Sequence, residues 1–329
     1  MKKYLILLVL ICPIISIAQQ NVYKVSKQFS IKSTGGWDYL SIYKDNIYVS
    51  HGTQVNILNK LTGDSVGVIP NTLGVHGIAF DETHNIGFTS NGKLNNVFAF
   101  KTETNEIIAT IPTGENPDAI LFEPFTKTII TCNGRSKNLT FIDAVSFKVI
   151  ATTEVGGKPE TAVSDENGNL YVNIEDKNEI VKVNVVSHQV IAHWTINPIE
   201  SPTGLAIDIK TKRLFAGGEK LLAIVNFETG KIVTTIPIGD GCDGVAFDNA
   251  NKTIFTSNGV GTMSVIKEID AGHFKLIDTV TTAQGARTIA IDNNTGIIYM
   301  PTASFTLSSG GGKRAPMIPG TFKILVVNK

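Results

Sequence analysis

The stretch HGIAFDETHNIGFTSNG at residues 76–92 returns four more times along the chain, and that recurrence decides the fold. Its counterparts are DAILFEPFTKTIITCNG (118–134), TGLAIDIKTKRLFAGG (203–218), DGVAFDNANKTIFTSNG (243–259) and RTIAIDNNTGIIYMPT (287–302). Each copy is an apolar strand, a polar turn around an Asp or Glu, and a second strand ending in small polar residues. Two weaker copies open at Asp38 (DYLSIYKDNIYVSHG) and Glu160 (ETAVSDENGNLYVNIED), which makes seven. A unit of about 40 residues and four short strands, repeated four to eight times, is the mark of a β-propeller. The predicted fold class is all-β: a seven-bladed β-propeller with four antiparallel strands in each blade.

Within a blade the strands and turns separate cleanly. Blade 2 reads GIAF (strand a), NIGFTS (b), NVFAFKT (c) and EIIATIPT (d), with DETH, NGKLN and ETN between or beside them. Val, Ile, Phe and Thr fill the strands, whereas Asn, Asp, Gly and Lys fill the turns, as strand propensity and turn chemistry require. Helical periodicity of useful length is absent, and no Gly-x-Gly-x-x-Gly opens a helix after a strand, which excludes a dinucleotide-binding fold. Blade 7 finds only three strands before the chain ends. The missing one is expected from residues 22–32, which belong to no other blade. Paired as strand d of blade 7, that segment closes the ring and covers an edge that would otherwise invite aggregation.

The blade exits ATIPTGENP (109–117), TTEVGGKP (152–159) and TTIPIGDG (234–241), with strand-b motifs IYVSHG, GFTSNG, IITCNG, LYVNIE and IFTSNG, resemble those of the YVTN-repeat, YncE-like seven-bladed propellers. The resemblance covers essentially the whole mature chain and implies the fold far more sharply than a role. Similar propellers serve as binding proteins, as subunits beside redox partners that carry the cofactor, or in association with single-stranded DNA.

Composition narrows these options. Residues 1–18 begin with Lys2 and Lys3, run apolar from Tyr4 to Ile17 and end in small residues, which reads as a secretory signal peptide followed by a propeller domain over 19–329. The mature protein is then expected to be exported, to the periplasm or the extracellular space, with cleavage near Ala18 and no membrane span. Cys12 follows the bulky Ile11, a poor context for lipid-anchor processing. Cleavage removes two lysines and no acid, leaving 27 basic against 29 acidic residues and a net charge of −2. Such a surface lacks the basic face that nucleic acid requires, and Trp37 alone stands near the channel mouth as a stacking residue. Cys132 and Cys242 fall in blades nearly opposite each other and are expected to be buried thiols rather than a bridge. No haem-attachment Cys-x-x-Cys-His is present.

In a propeller the first residue of each innermost strand sits at the mouth of the central channel. Those residues are Asp38, His76, Asp118, Glu160, Thr203, Asp243 and Arg287, with His51, Asn91, Asn133 and Asn258 from the b–c loops behind them. Solvated rim positions and Asn-Gly turn signals would account for part of this set. Charge at five of seven strand starts exceeds that, and a surplus of carboxylates favours a small cationic ligand, a metal or a basic side chain of a protein partner.

A divalent cation such as calcium would draw its oxygen ligands from Asp118, Glu160 and Asn133. That set resembles the acid-plus-amide ligands of calcium-dependent lactonases, whose propellers have six blades. The alternative function is accordingly a metal-dependent lactonase-type hydrolase with Glu160 or Asp118 as base. No Ser-His-Asp set or Gly-x-Ser-x-Gly elbow is present, so the leading expectation is a binding or scaffold propeller rather than an enzyme. A last feature is the loop at 305–320, rich in Gly, Ser and Pro, where Lys313 and Arg314 are expected to act as a lid over the acidic ring.

Overall fold

Largely apolar runs of three to nine residues form the strands, and residues in left-handed conformation end them. The a–b turns close on Lys44, Asn85, Lys127, Gly168, Lys212, Lys252 and Gly296, all at positive φ. Glycine adopts that conformation freely, and Asn does so at low cost. In blades 2 to 7 an Asp or Glu before the turn caps it: Asp81 accepts from the Thr83 amide at 3.0 Å, and Glu123 accepts from the Thr126 amide at 2.7 Å.

The computed structural model describes residues 23–306 and 316–329. The expected signal peptide and the expected lid residues Lys313 and Arg314 lie outside the described residues. The described residues form seven four-stranded antiparallel sheets, one per blade. Blades 1 to 6 take their strands in sequence order, whereas blade 7 is completed from the other end of the chain. There Lys24–Ser30 pairs antiparallel with Lys323–Asn328, in a register running from Lys24 opposite Asn328 to Ser30 opposite Lys323. No helix among the described residues is long and apolar enough to cross a membrane.

The apolar core is divided among the seams between blades. Seven clusters fill seven seams; for example, Tyr48, Ile57, Ile78 and Phe100 join blades 1 and 2, while Phe29, Leu40, Val49 and Phe322 join blades 7 and 1. Strands b and c are buried on both faces, as in Asn138–Asp143, and the outer strands alternate, as in Gln189–Thr195. Cys132 and Cys242 are buried free thiols.

Candidate functional site

In five blades strand a breaks register with strand b at its first residues: between Trp37 and Leu40, Val75 and Ile78, Pro117 and Ile120, Pro159 and Ala162, and Cys242 and Gly244. Each bulge holds one ring residue, namely Asp38, His76, Asp118, Glu160 or Asp243. A bulge leaves a residue out of the ladder and re-aims its side chain. Thr203 and Arg287 instead precede their shorter strands, Leu205–Asp208 and Ala290–Asp292.

Five of the ring residues form one chain of contacts running from blade 6 through blade 7 to blade 3. Arg287 pairs with Asp243 and lies 3.6 Å from Asp38 Oδ1. Asp38 Oδ2 is 2.6 Å from His76 Nδ1, which is itself 3.6 Å from Asp118 Oδ1. The space for His76 comes from Gly92, where a Cβ would lie 2.7 Å from the imidazole Nε2. Glu160 stands in blade 4 and bonds at 2.6 Å to Lys158 Nζ, which also pairs with Glu175. Thr203 spends its hydroxyl on the Cys242 carbonyl at 2.7 Å, holding blade 5 to blade 6.

The site includes residues that the strand-start rule does not reach. Lys158 lies two positions before Glu160 and partly neutralises it. Tyr39 reaches from blade 1 to the core shared by blades 3 and 4 and shares a hydrogen bond with Thr161. A signal for Tyr39 is present in the repeats: the equivalent positions hold Gly77, Ala119, Thr161, Gly204, Gly244 and Thr288, all small. Innermost strands approach so closely that a Cβ on Gly204 would lie 2.7 Å from the Val245 amide nitrogen. Tyr39 is the exception, and its phenol stands close enough to Asp38, Asp118 and Glu160 to feel their charges.

Crowding these charges shifts their protonation. Burial pushes the Asp118 carboxyl up to about 6, with the Asp38 charge adding to it and His76, Lys158 and Arg287 opposing it. Burial and then the Asp118 charge push Glu160 up to about 8, against the hydrogen bond from Lys158. Burial draws the His76 imidazolium down, but its bond to Asp38 and the charges of Asp118, Asp38 and Glu160 outweigh that and raise it. Burial first, then the charges of Asp118, Asp38 and Glu160, hold the Tyr39 phenol well above its usual range.

The asparagines do not join this set. Asn91, Asn133 and Asn258 are fully buried and commit their amides to their own blades. Asn133 accepts from Thr131 at 2.9 Å and donates to Asn138 and Thr140 at 2.9 and 2.8 Å. Asn91 and Asn258 repeat the pattern with Thr89 and Asn96, and with Thr256, Thr262 and Ser264. The calcium set of Asp118, Glu160 and Asn133 is therefore not assembled: Asn133 is spent in its turn and Glu160 on Lys158. His51 is also buried, between Ser33 and the Gly35 carbonyl, and stacks on Phe322 at 3.9 Å. Desolvation lowers its pKa, so it packs as a neutral ring. Asp38, His76 and Asp118 do offer ligand atoms within 4.8 Å of one another. The His76 nitrogen is already bonded to Asp38, so the three residues form a hydrogen-bonded ion pair with a second acid beside it.

Beside the acids, a cleft of about 510 Å³ opens over blades 4, 5, 6, 7 and 1. Its lining includes the charged residues Glu175, Glu219, Asp243 and Arg287 together with Trp37, Phe305 and Met317.

No family model matches the chain, and no curated protein matches it. Solved structures do. Hydrazine synthase of Kuenenia stuttgartiensis superposes with a TM-score of 0.72 at 13% identity, over 82% of this chain and 94% of that one. The structure of U3-55K gives 0.76 at 9% identity, over 91% and 97%. The WD40 repeats of RRP9 give 0.77 at 8% identity, over 92% and 97%. At such identities the likeness shows the propeller fold and nothing finer. The chain is a seven-bladed β-propeller.

Proposed function

We propose that this protein is an exported binding propeller of the YVTN-repeat type, and that its channel mouth takes a cationic ligand or the basic side chain of a protein partner. The observation that carries the reading is the set of carboxylates gathered by the strand-a bulges. Asp38, Asp118, Glu160 and Asp243 come from four blades and are held in a partly buried mouth that neutralises them incompletely. Such a cleft focuses negative potential and attracts cations. Export is supported by the basic, then apolar, start of the sequence. A hydrolase is not favoured, because Asn133 is withdrawn from the acids and Glu160 is bonded to Lys158.

Calorimetric titration tests the reading. Calcium, an alkylammonium salt and a Lys- and Arg-containing peptide are each added to the purified protein at low ionic strength. At least one binds, its affinity falls as salt rises, and the double variant Asp118→Asn/Glu160→Gln loses about tenfold or more. Equal affinity in wild type and double variant, or no binding by any of the three, overturns it.

A further inference from the structure

The cleft beside the acids is lined by two chemically different sets of side chains. Among the aromatic ones, Trp37 lies 6.0 Å from Phe305 and 5.2 Å from Phe322, ring centre to ring centre. Phe322 is in turn stacked on His51, so the indole is held from behind by a fixed column of rings. Gly285 makes room for Phe305, since a Cβ there would lie 2.7 Å from the ring. The carboxylates of the lining are unequally engaged. Asp243 faces Arg287, and Glu175 faces Lys158. Glu219 is exposed and forms no ion pair among the described residues.

We infer that this cleft binds an amphipathic monocation: a primary ammonium or guanidinium carried on an apolar body. The head meets Glu219 with Asp243 behind it, and the body lies against Trp37, Phe305 and Met317. This inference rests on the reading of the mouth as a cation site and adds the ligand's class. The volume, about 510 Å³, is that of a small-organic-ligand pocket rather than a single-ion site. An apolar body leaves water by packing against the indole and phenyl rings, and the unpaired carboxylate of Glu219 supplies charge that an uncharged molecule cannot use. Inorganic cations would leave the aromatic side chains unused, and anions would meet three carboxylates against the one guanidinium of Arg287.

The same chemistry is offered by a free amine or by a lysine side chain on a protein. Both are tested by calorimetry at low salt on the whole purified protein, with four probes: phenethylamine, its uncharged analogue phenylethanol, methylammonium, and a peptide bearing one lysine flanked by apolar residues. Phenethylamine or the peptide is expected to bind at least tenfold more tightly than both phenylethanol and methylammonium. Glu219→Gln should weaken that binding about tenfold, consistent with loss of a charged contact. Phe305→Ala should weaken phenethylamine while leaving methylammonium unchanged. Binding of the peptide alone assigns the ligand to a protein partner; binding of phenethylamine assigns it to a free amine.

Near-ultraviolet circular dichroism confirms that each variant is folded. Should Phe305→Ala fail that check, Met317→Ala replaces it with the same expectation. The inference is overturned if phenethylamine and the peptide bind no better than phenylethanol or methylammonium. It is also overturned if their binding survives Glu219→Gln but disappears in Asp118→Asn/Glu160→Gln. In that second case the mouth still binds cations and only the cleft assignment fails. Absence of binding by every cation, calcium included, removes both.

Discussion

Glu160 has lost most of its water and faces another carboxylate, yet it keeps one lysine at 2.6 Å. Its carboxyl rises from 4.5 to about 8, and that of Asp118 from 3.8 to about 6. A carboxyl with a folded pKa above its unfolded one binds its proton more tightly in the folded state. The stability this contributes is complete below the unfolded value and is lost as pH rises through the folded value. Thermal melts should therefore show the protein less stable at pH 9 than at pH 5. Glu160→Gln should leave the melt at pH 5 unchanged, because the glutamate is already neutral there. At pH 9 the same change should raise Tm by roughly 2–4 °C, as about 1 kcal/mol does in a domain of this order of size. A drop at pH 9 would mean that the Lys158 pair outweighs burial and the Asp118 charge. Cation affinity should run the opposite way and strengthen as pH rises from 5 to 9, since each carboxylate that ionises adds attraction. The site thus gains charge where the fold loses stability.

At the scale of the strand, the Thr-Ser-Asn-Gly end of strand b divides three tasks among neighbouring side chains. In blade 2, Thr89 donates to Asn91 at 3.1 Å and Asn91 donates to Asn96 at 3.0 Å, fixing the b–c turn. Ser90 points the other way: it accepts from the Gly77 amide at 2.8 Å and donates to the Asp118 carbonyl of blade 3. Ser257 does the same for the Arg287 carbonyl of blade 7, and Thr288 for the Asp38 carbonyl of blade 1 at 2.7 Å. These latches tie Asp118, Arg287 and Asp38 at the mouth to the neighbouring blade. Ser90→Ala should cost about 1–2 kcal/mol in urea unfolding, because it leaves a buried carbonyl and a buried amide without their partner. It should also weaken cation binding, since Asp118 loses its anchor. A stability loss below about 0.3 kcal/mol would show that the latch is replaceable. The same motif explains where sequence reading succeeded and failed. The ring residues are legible because one position recurs in every repeat and the propeller gives that position a fixed place. The sequence leaves Asn91, Asn133 and Asn258 ambiguous because an Asn before Gly serves equally as a turn former or a loop ligand. Their partners, such as Thr140, lie within seven residues, on the b–c turn or the next strand, and are set by strand register. Lys158 was missed because it belongs to the exit loop, which varies from blade to blade. Tyr39 could have been found, since it alone is large where six repeats are small.

The whole molecule depends on a contact between the two ends of the described chain. Lys24–Ser30 contributes no covalent continuity to blade 7, yet Phe29 and Ile31 enter the seam with blade 1, and Tyr23 enters the seam with blade 6. Removing three buried large apolar side chains costs about 2–4 kcal/mol each, comparable to the ~5–15 kcal/mol that holds a domain folded. Deletion of residues 22–32 should accordingly abolish cooperative unfolding and expose the edge of Lys323–Asn328 to aggregation. Deletion alone would not separate lost closure from lost core, but rearrangement of the chain does. Asn328 lies opposite Lys24, so a two-residue hairpin turn can join Lys329 to Tyr23. New termini placed between Ser33 and Gly36, in the stretch that leads into strand a of blade 1, leave every strand intact. This permutant turns the closing pair into an ordinary hairpin. It should fold with the same spectrum and a Tm equal to or above that of the parent, because strand d is now tethered to its partner and the entropy of closing the ring falls. A further deletion of residues 24–30 from the permutant should unfold it as fully as the deletion in the parent. If the permutant fails to fold while remaining soluble and otherwise unaltered, the segment has a role beyond strand d. The closure described here would then not be what holds the seven blades in a circle.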